Sequence, residues 1–259
     1  MVNWKRWSGV VGILLVLWVW QQWPDGKLHV VFCDVGQGDA SVIVLGSFQA
    51  LVDTGANESR VTECLGRLIP FWDRQIEVVF LSHTDKDHVG ALPGIKSLYM
   101  IGRIIDKPST GDIVRYGSLD FDILKGSELV VEKVMASGSE SNESSVVIRL
   151  VYGNLSVLYT GDIDTATELA LSERSVLIKT DVLKVSHHGS KYGSAKEFLE
   201  KIMPKLAILS VGAKNSYGHP ASDTLMRLEA VGAKTLRTDK SGTITLVTDG
   251  KERKVFTEK

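Results

Sequence analysis

The chain has 259 residues, 44% hydrophobic and 24% charged, enough apolar material for one large domain or two small ones. Thirty basic and 31 acidic residues leave a formal net charge of -1, which argues against a protein that coats nucleic acid by bulk charge and leaves only a local basic groove open. Cys33 and Cys64 are too few for a disulfide framework; each reads as a small core residue, with a single bridge left open.

The first segment is apolar. From Trp7 to Trp20 only Ser8, Gly9 and Gly12 interrupt it; Lys5 and Arg6 precede it, and Trp18, Trp20 and Trp23 crowd its far end before Pro24. No small-residue cleavage site follows, so an uncleaved anchor is expected rather than a removed signal. Trp7 to Trp23 is at the lower limit of a span, which averages about 20 residues. Lys5 and Arg6 predict a cytoplasmic N-terminus and the tryptophans an interface. Residues 1–24 are therefore expected to form a single transmembrane anchor in the cell membrane, with 25–259 on the extracytoplasmic side. A buried helix fits less well, because no polar face exists between Val10 and Trp20.

From Lys27 onward, short β-type runs alternate with glycine turns. Leu28 to Val35, Ala40 to Leu45 and Gln49 to Val52 read as strands, the last ending in Asp53-Thr54-Gly55. Ser59 is expected to cap a helix to about Leu68. Ile76 to Leu81 is a buried strand that runs straight into His83-Thr84-Asp85-Lys86-Asp87-His88. A helix over Val89 to Leu98 is a weak prediction because of Pro93 and Gly94. Residues 101–135 read as several short strands. Ser145 to Val151 and Leu155 to Tyr159 form a hairpin about Gly153-Asn154, ending in Thr160-Gly161-Asp162. Asp164 caps a short helix; Val182 to Val185 is a strand ending in Ser186-His187-His188-Gly189-Ser190. Ser194 is expected to cap a helix to Met203, and Ser222 one to Val231 with Leu225, Leu228 and Val231 on one face. Between them lie the strand Leu206 to Val211 and Asn215-Ser216-Tyr217-Gly218-His219-Pro220. Terminal strands are expected at 234–237 and 243–247. Strand pairs mixed with helices in both halves suit one α/β domain of two packed sheets with helices outside.

Four strands end in metal-binding residue types: at Asp53, at the His83 cluster, at Asp162 and at the His187-His188 pair. One such end is ordinary; four make a site. Two imidazoles and two carboxylates within six positions are costly as bare groups and favourable around a divalent cation.

Asp34-Val35-Gly36-Gln37-Gly38-Asp39, Asp53-Thr54-Gly55, the H-x-D-x-D-H cluster, Gly161-Asp162, His187-His188-Gly189-Ser190, Tyr217-Gly218-His219-Pro220 and Thr238-Asp239 with Gly242 occur in an order that resembles metallo-β-lactamase-fold hydrolases. Within them the chain is most similar to the C-terminal hydrolase domain of the ComEC family of DNA-uptake proteins. The resemblance implies an αββα sandwich and a binuclear metal centre that hydrolyses phosphodiesters or other esters. It implies His83 and Asp85 on one metal, Asp87 and His88 on the other, and Asp162 bridging them. One histidine of the 187–188 pair would complete the second site. Strand alternation would separate the pair, so one of the two is the ligand; His187 is favoured narrowly over His188, which would then contact the substrate phosphate or a group behind the ligands. Asp53 would support a ligand; Gln37 and Asp39 read equally as tight-turn residues or as supports near substrate. Asp87 is expected to orient or deprotonate the attacking water, and His219 to bind phosphate or protonate the leaving group, a loop histidine packed on Pro220 being the other reading. Ser190 and Lys191 are further phosphate candidates.

The chain departs from the commoner H-x-H-x-D-H form at Asp85, and Asn142 to Ser145 holds no histidine where many members carry one. An oxygen-rich site shifts the expectation from zinc alone towards Mn²⁺, with Mg²⁺ also open. DNA is the expected substrate, with a separate uptake channel as partner. The competing readings are a cell-envelope phosphodiesterase or phosphocholine esterase, and a metal-stabilised binding partner of that channel.

Overall fold

The structure is a computed structural model that describes residues 24–127, 142, 144–174 and 179–259, together with 10, 11 and 14. The expected anchor lies almost wholly outside these residues, as does the end of the 101–135 strand region. Among the described residues no helix is long and apolar enough to cross a membrane.

The first half of the chain forms strands β1 (Leu28–Phe32), β2 (Ala40–Leu45), β3 (Phe48–Thr54), β4 (Gln75–Phe80) and β5 (Met100–Ile105), with helices α1 (Glu58–Leu68), α2 (Lys86–Val89) and α3 (Leu92–Leu98). The second half forms β6 (Ile113–Tyr116), β7 (Leu119–Lys125), β8 (Val147–Tyr152), β9 (Leu155–Tyr159), β10 (Val182–Lys184), β11 (Leu206–Leu209) and β12 (Lys234–Arg237), with α4 (Thr165–Ser172), α5 (Lys196–Ile202) and α6 (Ser222–Ala230). A short α7 (Thr238–Ser241) leads back to β13 (Ile244–Thr248) and β14 (Arg253–Thr257). The sheets run β14-β13-β1-β2-β3-β4-β5 and β12-β11-β10-β9-β8-β7-β6.

The two sheets pack face to face through rings on their inner sides: Phe80 meets Phe121 at 4.8 Å between centroids and Phe32 meets Tyr159 at 6.0 Å. Val61, Leu65 and Ile95 of α1 and α3 bury the outer face of the first sheet against Leu51 and Val79. Phe198, Ile202 and Leu228 of α5 and α6 do the same for the second against Leu183 and Ala207. The layers are therefore αββα, as the alternation of strand pairs and helices predicts.

Direction explains where the site lies. Strands β1 and β3 are both antiparallel to β2, and β3, β4 and β5 are mutually parallel, so four carboxyl ends share one edge of the first sheet. Strands β9 to β12 are likewise parallel. Loops at carboxyl ends of such strands are where α/β folds build sites.

Several local expectations change. The cap of α1 is Asn57, whose Oδ1 accepts from Arg60 N at 3.2 Å; the Ser59 hydroxyl donates to that same oxygen instead. The Val89–Leu98 helix is two pieces, with Pro93 in the first turn of α3, where its missing N–H costs nothing. Neither Ser194 nor Ser222 caps its helix through a side chain. For α5 the buried Glu168 carboxylate takes over, accepting from Ser194 N at 2.8 Å and Ala195 N at 2.6 Å. The exposed edge strand β14 has no buried face to give it periodicity and was not expected. The Gly153-Asn154 hairpin pairs Tyr152 with Leu155, and Asp164 caps α4 by accepting from Thr167 N at 2.9 Å, both as expected.

Cys33 and Cys64 form a disulfide with Cα atoms 6.1 Å apart, tying the exit of β1 to α1. Their separation of 31 residues makes the bridge worth about 3.7 kcal/mol by the chain-entropy relation. Replacing both with serine is expected to lower the unfolding free energy by that amount, read as a fall in the urea midpoint. Reductant should do the same to the wild type and nothing further to the variant; an unchanged midpoint in the variant would contradict the pairing.

Candidate metal centre

Asp53 closes β3 with φ of 58°, a left-handed conformation unusual for a residue with a β-carbon. The turn aims its carboxylate at the end of β4. Oδ1 accepts from Ser82 N and Oδ2 from Ser82 Oγ, both at 2.8 Å, and His88 Nδ1 lies 2.9 Å from Oδ2. Ser82 Oγ also contacts His83 Nδ1 at 3.0 Å. On the opposite sheet, His188 Nδ1 meets Ser210 O at 2.9 Å. All three rings thus have Nδ1 engaged by protein oxygen, which leaves Nε2 facing inward. That orientation by an outer hydrogen bond is how proteins prepare imidazoles for metal.

Asp162 lies between the sheets. Its backbone N–H donates to Ser145 Oγ at 3.2 Å, so a serine packs where many relatives were expected to carry a histidine. Its Oδ1 is 3.2 Å from His88 Nε2, and Oδ2 is 3.8 Å from both His187 Nε2 and His188 Nε2. Asp87 Oδ2 reaches His188 Nε2 at 3.1 Å, and Asp85 Oδ2 lies 3.6 Å from His83 Nε2. Ligand atoms of His83, His88 and Asp162 come within 4.8 Å of one another, as do those of Asp87, His88 and His188.

Among the described residues, buried His83 Nε2 has no hydrogen-bond partner, and His88 Nε2 and Asp162 Oδ1 have none beyond their 3.2 Å contact with each other. Buried polar atoms without partners are costly, and several of them facing one point fit a divalent cation. The donor set, imidazole nitrogen plus carboxylate oxygen, suits zinc or manganese.

The charges are mutually tuned. Burial disfavours the charged His88 ring, but the Asp162 and Asp53 carboxylates outweigh it and raise its pKa well above normal. His188 is likewise buried and pushed up to about 9 by Asp162 and Asp39. Asp162 is itself held well below the carboxylate range, burial being outweighed by His88 and His188. His83 moves the other way: burial, then the neighbouring His88, lowers it.

The His187-His188 pair does not alternate as strand residues do. It sits in a tight turn, Ser186–Gly189, with φ of 49° and 53° at the two histidines. Strand alternation therefore does not apply, and the turn is what sends the rings apart. His188 is buried and reaches the centre, whereas the His187 side chain is 30% exposed and its ring stands 5.6 Å from that of His219. His219 is lowered to about 4 by burial and the neighbouring histidines, so its ring is neutral at neutral pH.

Gln37 holds the loop after β11, its Oε1 accepting from Gly212 N at 3.2 Å. Gly38 packs so closely on the Asp87 backbone that a Cβ would lie 2.3 Å from its carbonyl oxygen, which requires glycine there. Asp39 N then donates to Asp87 O at 3.0 Å, joining the 34–39 loop to the cluster. Ser190 Oγ accepts from Tyr192 N, and Lys191 Nζ lies 4.9 Å from the Tyr192 ring.

Lys184 also joins this cluster, with no motif in the chain to mark it. It is buried at the end of β10, with Nζ 2.5 Å from Asp39 Oδ2 and 3.1 Å from Val185 O. Asp39 Oδ1 is in turn 3.2 Å from His188 Nδ1. The only sequence signal is a lysine inside the apolar run Val182 to Val185.

Residues 33–213, which carry every one of these strand ends, match the Metallo-beta-lactamase superfamily. The chain belongs to that superfamily. It is 30% identical to ComE operon protein 3 of Bacillus subtilis, over 85% of this chain and 33% of that protein. It is also 30% identical to Competence protein ComA of Neisseria gonorrhoeae, over 85% of this chain and 32% of that one. The chain spans about a third of the length of these relatives. Among solved structures, the metallo-beta-lactamase fold protein YhfI of Bacillus subtilis superposes with a TM-score of 0.57 at 13% identity, covering 86% of this chain and all of that one. That likeness is one of fold.

Proposed function

We propose that this metallo-β-lactamase-superfamily member is a metal-dependent phosphodiesterase that cleaves DNA in competence-type uptake or scavenging. The observation that carries the reading is the set of buried inward atoms, His83 Nε2, His88 Nε2 and Asp162 Oδ1, which among the described residues find no hydrogen-bond partner outside their own cluster, with the Asp87–His188 pair beside them. With neutral histidines, the carboxylates of Asp39, Asp53, Asp85, Asp87 and Asp162 outnumber the buried ammonium of Lys184 by four charges, which two divalent cations would neutralise. His83 and Asp85 would hold one cation, Asp87 and His88 the other, with Asp162 between them. His188 replaces His187 in this scheme, because it is the buried ring whose Nε2 faces Asp87. When bound, such cations would supply Lewis-acid activation of water and of the phosphoryl group. Asp87, on the half-exposed side, orients the attacking water, and the neutral His219 ring lines the approach. Asp53 and Asp39 fix the His88 and His188 rings.

The relatives' competence names support DNA as substrate. The Cys33–Cys64 bridge supports an oxidising, extracytoplasmic location on the membrane anchor, with a separate uptake channel as partner. The test is reconstitution: strip the purified protein with chelator, restore Mn²⁺, Mg²⁺ or Zn²⁺, and assay single-stranded DNA, duplex DNA and a chromogenic phosphodiester. Manganese-restored cleavage of DNA is expected. Turnover of the chromogenic ester alone would favour an envelope esterase, and no turnover with any metal would overturn the enzymatic reading.

A further inference from the structure

The loop between β11 and α6 carries an aromatic feature that packing does not explain. Tyr217 is 70% exposed, yet its ring lies nearly parallel to His219, at 12° with centroids 5.9 Å apart. His219 in turn stands edge-on to His187 at 5.6 Å, and His187 Nε2 is 3.8 Å from Asp162 Oδ2. A row of three rings therefore runs from the metal centre outward and ends in an open π-face. Isolated exposed tyrosines are common and need no function. This one differs because its loop is pinned at several points. Asn215 Nδ2 donates to Gly212 O and to His219 O, both at 2.9 Å, and Asn215 Oδ1 accepts from His219 N at 3.0 Å. Gln37 accepts from Gly212 N across the gap between the sheets. A rigid aromatic face loses little entropy on binding a flat partner.

We infer that Tyr217, backed by His219, is a stacking platform for a nucleobase flanking the phosphodiester held at the metal centre. The inference rests on the proposed function and narrows its substrate to single-stranded nucleic acid, whose bases have a free face; bases inside a duplex are already stacked. Stacking is tolerant of base identity, so the platform selects strand state rather than sequence.

The full chain, metal-loaded, is assayed on a short single-stranded oligonucleotide, the same oligonucleotide with an abasic site in place of the flanking base, and a chromogenic phosphodiester. Tyr217→Ala is expected to lower kcat/KM for the oligonucleotide relative to the chromogenic ester by about tenfold to a hundredfold. Tyr217→Trp should retain the wild-type ratio. The abasic site should cost the wild type a similar factor and cost Tyr217→Ala little more, because base and ring are lost from one contact. Binding of an oligonucleotide carrying 2-aminopurine, quenched on stacking, reads the platform without turnover, so an inactive hydrolase and an absent platform give different results. Equal losses on the oligonucleotide and the ester, independent losses from the ring and the base, or quenching unchanged in Tyr217→Ala would each overturn the inference.

Discussion

Asp162→Ala is expected to remove metal-dependent turnover, lowering kcat by more than about a thousandfold, beyond the loss seen for a single transition-state donor. Asp162 is the carboxylate that faces His88, His187 and His188 together, so its loss dismantles both halves of the centre at once. Calorimetry gives a second readout. Metal at about a hundred times its dissociation constant should stabilise the wild type by about 2.7 kcal/mol, and the variant by much less. The metal-free protein should also respond to pH in a way that identifies Asp162. His188 has its folded value raised to about 9, so its contribution is fully present below about pH 6.5 and fades as pH rises towards 9. On the order of 3 kcal/mol of stability should be lost over that window. Asp162→Asn keeps the shape, removes the largest attraction to His188, and should flatten the decline. Metal affinity runs the opposite way, rising with pH as the rings lose their protons. A variant that keeps the wild-type metal-induced rise in Tm, or the full alkaline decline, would show that Asp162 is not the shared anion.

Much of this centre is legible in the chain because a strand's carboxyl end is a fixed address. Asp53, His83, His88 and Asp162 follow apolar runs that can only be buried strands, so their convergence follows from topology. What fails is reasoning that extends strand periodicity beyond the strand. His187 and His188 look like two more positions on β10, but β10 stops at Lys184 and the chain enters a left-handed turn. No local pattern announces that turn, in which His187 N donates to Gly161 O at the end of the neighbouring strand. Side-chain partners supplied from elsewhere are equally hidden. A serine before a helical run predicts a cap at Ser194, whereas the carboxylate doing that work is Glu168, which belongs to another helix. Burial there pushes Glu168 up to about 7 despite those bonds. Cys33 and Cys64 pair because α1 lies over the exit of β1, a tertiary fact that their spacing does not contain.

Lys184→Met is expected to cost about 3–5 kcal/mol of stability in the metal-free protein, the range for breaking a buried ion pair from one side. Lys184 is 2% exposed and Asp39 4% exposed, and the pair spans the two sheets, so truncating the ammonium leaves a carboxylate buried without its closest cation. Burial alone would push Asp39 up; Lys184 first, then His188, holds it well below the carboxylate range instead. A depressed carboxylate contributes stability that is present above about pH 4 and lost as pH falls through its folded value. The variant should therefore unfold at higher pH on acidification as well as at lower urea. Metal affinity should fall about tenfold to a hundredfold, because Asp39 is one of the two oxygens that orient His188 Nδ1. Asp39→Leu alone should be similarly damaging, stranding the ammonium. Combining it with Lys184→Met should recover most of the lost stability, since an apolar pair of similar volume removes both desolvation costs. It should not recover metal affinity, because the His188 orienter is gone. Additive losses in the double variant would mean that the two residues act separately; full recovery of metal binding would mean that Asp39 serves the fold alone.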